Sequence, residues 1–225
     1  AETVATVLDV ADRDAIYAWA AATADHFGVV HVVINNAGVA MGGRLEDVTD
    51  EDFQWLMDIN FWGVVHGTKA FLPHLLQAEE GHLVNISSLL GLLGLPTTGA
   101  YCSAKFAVRG FTECLNQELR LQGASVRTSG VYPGGIPTRI ATAGRFGTGS
   151  GLLGGQQRVT EAFLSRARTS PEKAARIIVR GVTRGKQRIL VGRDAPLFDW
   201  LQRLLPAKHQ GLLVALSRRI GRGPR

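Results

Sequence analysis

The sequence predicts an α/β domain: a parallel sheet with helices packed on both of its faces. Two observations carry that prediction. Segments with helical apolar spacing alternate with short apolar runs along the chain. Those runs are close to continuously apolar, as strands buried on both faces require. At 225 residues the chain is long enough to enclose a sizeable core as one domain, residues 1–225.

The elements follow in order. Residues 12–26 read as a helix with Asp12 near its N-terminus, ending before Gly28. Val29-Val30-His31-Val32-Val33-Ile34 reads as a strand. Thr49 is the expected N-cap of one long helix over 51–79, with Asp52 and other acids in its first turn. Phe53, Leu56, Met57, Phe61, Val64 and Val65 give that helix an apolar stripe suited to a core or a subunit interface, and Pro73 is a place for a kink. Gly81-His82-Leu83-Val84-Asn85-Ile86-Ser87-Ser88 is a buried strand. A helix over 100–121 ends near Gly123, and a strand over 126–132 follows. Ser170 caps a helix that begins Pro171-Glu172, and residues 188–192 form the last strand. Residues 195–225 are a helical extension with a basic tail of Arg218, Arg219, Arg222 and Arg225. There Leu197, Trp200, Leu201, Leu204 and Leu205 recur at helical spacing, as do Leu212, Leu213, Leu216 and Ile220. Packing on the domain, or a substrate lid, is preferred for these residues over a weak membrane-surface contact.

Chemistry concentrates in three residues. Tyr101 and Lys105 stand four apart on one helix face, and Ser88 precedes Tyr101 by thirteen residues at a strand's carboxyl end. A phenol titrates near pH 10, and a cation within about 4–6 Å favours its charged form. Such a phenol can exchange a proton with an alcohol or a ketone. A hydroxyl at a strand end is placed to hold the substrate oxygen, because open α/β sheets bind ligands there.

Further motifs lie in register with the trio: Asn35-Asn36-Ala37-Gly38 after a strand, Asn60 within a long helix, and Pro133-Gly134-Gly135-Ile136-Pro137-Thr138 after another strand. From about Asp9 to Thr138 the chain resembles the short-chain dehydrogenase/reductase family in its single-domain form. The resemblance implies a Rossmann-like doubly wound sheet and hydride transfer with NAD or NADP as cofactor. It implies that Tyr101 is the general acid/base, that Lys105 lowers its pKa and bonds the nicotinamide ribose, and that Ser88 holds the substrate carbonyl. It implies that Asn60 anchors a water in a proton relay running past Lys105. Asp9 and Val10 would lie near the adenine, and Asn36, Ala37 and Gly38 along the cofactor. Pro133, Gly134, Ile136 and Thr138 would meet the nicotinamide.

The family's glycine-rich phosphate loop, its first two strands and the helix between them have no counterpart, so the expectation is an N-terminally truncated sheet. Val4-Ala5-Thr6-Val7-Leu8 then reads as the family's third strand without its neighbour, and the strand at 29–34 as a raw edge. Gly149-Ser150-Gly151-Leu152-Leu153-Gly154 fits the lost loop letter for letter, but no apolar strand precedes it, so it is rejected. It reads instead as part of a glycine-rich loop over 139–168 that closes on substrate.

A net charge of +6 raises nucleic acid as a partner, but no basic face interleaved with aromatics appears and none is expected. Cys102 and Cys114 share one helix, about 18 Å apart at 1.5 Å per residue, too far to bond. Free thiols fit a cytoplasmic setting. The six histidines are scattered, so no metal is expected, and no apolar run reaches the roughly 20 residues of a membrane span. The expected function is interconversion of a secondary alcohol and a ketone, a small-molecule substrate, by a homo-oligomer built through the two long helices. The rival from another class is an inactive fragment or interaction module unable to bind dinucleotide. An epimerase or dehydratase on nucleotide sugars is a weaker alternative.

Overall fold

The computed structural model describes residues 2–147 and 155–222. Its main sheet has four strands, β1 (Val32–Asn35), β3 (Gly81–Ile86), β4 (Val126–Pro133) and β6 (Arg188–Val191), in that spatial order. All three pairings are parallel, with Ile34 opposite Val84 and Ile86 opposite Val131. A two-residue strand β2 (Met41–Gly42) pairs separately with β5 (Arg145–Phe146). The helices are α1 (Arg13–Phe27), α2 (Asp50–Met57), α3 (Gly63–Gln77), α4 (Gly99–Leu121), α5 (Gly155–Arg166), α6 (Pro171–Thr183), α7 (Asp194–Leu204) and α8 (His209–Arg222).

The alternation of β3 shows how the two faces are covered. Leu83 enters a buried cluster with Ile16 and Ala20 of α1, Phe71 and Leu75 of α3, and Leu115 and Leu119 of α4. Its neighbour Val84 points the other way, into a cluster with Val131, Ile189, Val191 and Ala174 of α6. The sheet is therefore doubly covered across β3, β4 and β6. Cover fails at β1, where Val32 and Ile34 are each 50% exposed. Among the described residues β1 is hydrogen-bonded on one side only, the raw edge that the sequence predicts.

Local signals set the helix ends as expected. The side chains of Asp12, Thr49 and Ser170 accept from the backbone N–H groups of Ala15, Asp52 and Lys173 at 3.0, 3.1 and 3.3 Å. Gly28 and Gly123 take φ of 75° and 64° after α1 and α4, values that glycine adopts without a Cβ clash.

Three expectations are corrected. The helix over 51–79 is divided: α2 ends at Met57, a π-helical turn spans Asp58–Trp62, and α3 follows. Residues 4–8 form no strand, for they have no ladder partner and Val7 stands fully in solvent. The region over 139–168 is not one structureless loop. It carries β5, whose Phe146 packs where a side chain on Gly42 would stand, and α5. The rejected glycine motif at 149–154 lies outside the described residues.

Candidate active site

The carboxyl end of β3 and the first turns of α4 build the site together. After Ile86 the chain leaves the sheet, and Ser88, in extended backbone, caps a short 3-10 turn by accepting from Leu90 N–H at 3.1 Å. The catalytic candidates on α4 come to that same strand end. The Lys105 ammonium donates to the Ile86 carbonyl at 3.0 Å, and the Ser87 hydroxyl donates to the Lys105 carbonyl at 2.8 Å. Lys105 is thus held at both ends by two successive residues of one strand terminus. Its Nζ lies 5.8 Å from the centroid of the Tyr101 ring.

The electrostatics differ from the expectation that the ammonium acidifies the phenol. Burial pushes the Tyr101 phenol up to about 12, against a hydrogen bond with Ser88 that favours the phenolate. Burial also pulls Lys105 down to about 8; this residue is 3% exposed. Loss of water is the leading cause for both groups, so each is driven toward its neutral form. One carbonyl satisfies only one of the three ammonium donors, which leaves Lys105 able to bind further oxygen acceptors.

Asn60 sits in the π-helical turn and is fully buried. Its amide is doubly committed, accepting from Val39 N–H and donating to the Val39 carbonyl, each at 2.8 Å. The side chain of this residue, expected as the anchor of a relay water, is therefore occupied in fixing the segment after β1, which leaves only its backbone for that role. That fixing brings Gly38 to the trio: a Cβ there would stand 3.0 Å from the Asn60 amide oxygen and 3.5 Å from Lys105 Nζ. Only a residue without a side chain leaves this approach open.

The remaining predicted positions divide into two groups. Val10, Asn36 and Ala37 line an apolar cleft of about 390 Å³ along the free edge of β1, with Leu8, Ile34 and Val64. Asp9 is exposed beside it, its carboxylate accepting from Ala11 N–H at 2.9 Å. The run Asn36-Ala37-Gly38 leads from this cleft to Lys105. On the other side, Pro133 ends β4 and Gly134 donates to the Val191 carbonyl at 2.8 Å. Thr138 is exposed, whereas the Ile136 side chain is turned into the core with Val131 and Val191, so Ile136 offers a ligand its backbone alone.

Asp194 was not legible in the sequence. Its carboxylate accepts from Gly135 N–H at 2.8 Å and fills the space where side chains on Gly134 and Gly192 would stand. It thereby ties the start of α7 to the turn after β4. The two partners are 59 residues apart and no local pattern joins them. Ser87 likewise carries no mark in the sequence beyond its place at the end of an apolar run.

The residues Ala1 to Arg145 match the family model described as short chain dehydrogenase. The chain is 46% identical over 209 residues to SadH of Mycobacterium tuberculosis, whose name places it among oxidoreductases; the match covers 92% of this chain and 74% of that one. A short-chain dehydrogenase/reductase from Burkholderia phymatum, solved with NAD, superposes with a TM-score of 0.81 at 28% identity, covering 93% of this chain and 78% of its own. A metagenomic short-chain oxidoreductase solved with NADP superposes with a TM-score of 0.55 at 32% identity over 63% of this chain and 62% of its own. The sheet, the strand-end trio and these likenesses agree: the chain belongs to the short-chain dehydrogenase/reductase family of oxidoreductases.

Proposed function

We propose that the protein interconverts a secondary alcohol and a ketone using NAD or NADP, with Tyr101 as the proton donor and acceptor. The observation that carries this is the convergence of Ser88, Tyr101 and Lys105 at the end of β3, with Gly38 open beside the ammonium. When bound, the dinucleotide supplies or accepts the hydride at the carbon bearing the oxygen. The cleft along β1, the backbone around Gly38, and the turn from Pro133 to Thr138 would hold it, with spare Lys105 donors for ribose oxygens.

The chain's own part is orientation and proton transfer. Ser88 donates to the substrate oxygen and fixes it next to the phenol. In the reducing direction Tyr101 gives its proton to that oxygen as the carbon gains hydride, leaving an alcohol and a phenolate. A phenol held near pH 12 is fully protonated at neutral pH and ready to donate. The Lys105 cation then stabilises the phenolate. With its side chain committed to Val39, Asn60 would serve a proton relay only through its backbone carbonyl in the π-helical turn. Oxidation runs the same steps backwards, with Tyr101 accepting the proton. The turnover belongs in a reducing, cytoplasmic setting, which the free thiols of Cys102 and Cys114 fit.

Tyr101→Phe is the decisive variant. Turnover of a ketone with NADH or NADPH should fall by at least about 100-fold, while quenching of protein fluorescence by the dinucleotide is unchanged. A variant that keeps its turnover rejects the assignment. The open edge at β1 favours the rival, a chain that keeps the trio but holds no dinucleotide. Calorimetry with NADH and NADPH separates the two, since binding at micromolar affinity excludes that rival.

A further inference from the structure

The outer face of α7 lacks the cover that its apolar residues would find in a core. Its inner face is firmly seated: Ala195 is fully buried, and with Phe198 it packs against Leu89, Leu92 and Leu93, beside the turn that follows Ser88. Asp199, 6% exposed, accepts from Arg188 and from Arg203, the latter at 3.2 Å. The opposite stripe carries Leu197, Trp200 and Leu204, which are 68%, 63% and 69% exposed. Their spacing of three and four residues places them in one row, and Arg193 heads that row one turn earlier. Beyond the helix Leu205, Leu212 and Leu216 are 40%, 54% and 39% exposed. Packing on the domain, which the sequence favours together with a substrate lid over a membrane contact, does not hold for Leu197, Trp200 and Leu204.

The sequence of this segment is predominantly basic. Residues 193–222 contain six cations, Arg193, Arg203, Lys208, Arg218, Arg219 and Arg222, and two acids, Asp194 and Asp199. Asp199 is buried beneath its arginines and Asp194 is engaged by Gly135 N–H. The segment therefore has no uncommitted carboxylate to oppose an anionic surface.

We propose that α7, with the start of α8, docks flat on an anionic lipid bilayer, with Leu197, Trp200 and Leu204 inserted at the headgroup level and Arg193 and Lys208 facing lipid phosphates. A tryptophan flanked by leucines with cations at its margins is the composition of interfacial helices. Each basic residue near an anionic leaflet adds attraction. The contact lies on the membrane and does not cross it: no described helix is long and apolar enough to span. A second copy is the weaker occupant. Two-fold pairing of this stripe would set Arg193 and Lys208 against like charges, with no uncommitted acid in this segment of either copy to answer them.

Co-sedimentation with vesicles tests the proposal. The protein should pellet with phosphatidylcholine vesicles containing about 30 mol% phosphatidylglycerol and remain in solution with phosphatidylcholine alone. Leu197→Glu/Trp200→Glu should weaken the anionic binding at least about tenfold, with circular dichroism unchanged because both side chains stand in solvent. Arg193→Gln/Lys208→Gln should weaken it while leaving the apolar stripe intact. Equal binding to both vesicle types, or undiminished binding by the glutamate variant, overturns the proposal. So does an absence of pelleting with the anionic vesicles; a fall in light-scattering mass on making the glutamate variant would then assign this face to a dimer.

Discussion

Lys105 is the residue on which proton affinity and stability meet. Its pKa falls from 10.5 to about 8 on burial, so the folded chain releases this proton before the unfolded chain does. Between those values the unfolded state binds more protons, and stability rises with pH. Tyr101 acts in the opposite sense, since its phenol is raised to about 12, and stability falls as pH climbs from 10 toward that value. Lys105→Met should remove the first effect. From about pH 7.5 to about pH 9.5 the wild-type protein should gain about 2 kcal/mol relative to the methionine variant in urea denaturation. A constant difference across that range would show that Lys105 titrates normally. At this scale the trio was legible because its three residues stand at short fixed spacings. The direction of the phenol's shift was not, because burial is a property of the folded surroundings. Asp194 escaped notice for a similar reason, since its partner glycines lie a long way back along the chain.

The elements are joined by polar contacts as much as by apolar ones. At the end of β1 the Asn35 amide donates to Asn85 of β3 at 2.8 Å and to Thr68 of α3 at 3.1 Å, and Asn85 donates to Thr112 of α4 at 2.9 Å. Gly67 makes room for this chain of bonds: a Cβ there would come within 2.3 Å of the Asn35 oxygen, side chain against side chain. Gly67→Ala should therefore destabilise the fold by about 1–3 kcal/mol, read as a lower urea midpoint with an unchanged slope. An unmoved midpoint would mean that Asn35 has another place to go. Most helices and strands were readable from period and caps, as Asp12, Thr49 and Ser170 illustrate. The π-helical break in the helix over 51–79 was not, because Asp58-Ile59-Asn60-Phe61-Trp62 carries no glycine or proline to mark it. Its cause is tertiary, for Asn60 turns inward to grip Val39. Residues 4–8 have the composition of a strand, but no ladder is available to pair them.

At the scale of the whole molecule, two further open surfaces among the described residues bear on function besides α7. One is the free edge of β1 and the cleft beside it. The other combines the π-helical turn with α4, where Trp62 and Phe106 are 43% and 41% exposed and Phe61 meets Phe111 edge to face at 6.4 Å. We propose that copies of the protein associate through this second surface. Light scattering should give a dimer or tetramer at micromolar concentration, and Trp62→Glu/Phe106→Glu should give a monomer. A wild-type protein that already runs as a monomer sinks that assembly. The sequence marked the helix stripe for core or interface, and the structure divides it: Leu56, Val64 and Val65 are buried, while Phe53, Met57 and Phe61 retain exposure.

The double grip on Lys105 has a mechanical consequence. Ser87 takes hold of its backbone and Ile86 of its ammonium, and the backbone at Gly91 passes so close that a methyl group there would meet both Ser87 and the Lys105 carbonyl. The lysine is thereby tied at two points to the central sheet, and its place is set by the strand beneath it. A change at that strand end would therefore be felt directly by the cation that stands beside Tyr101.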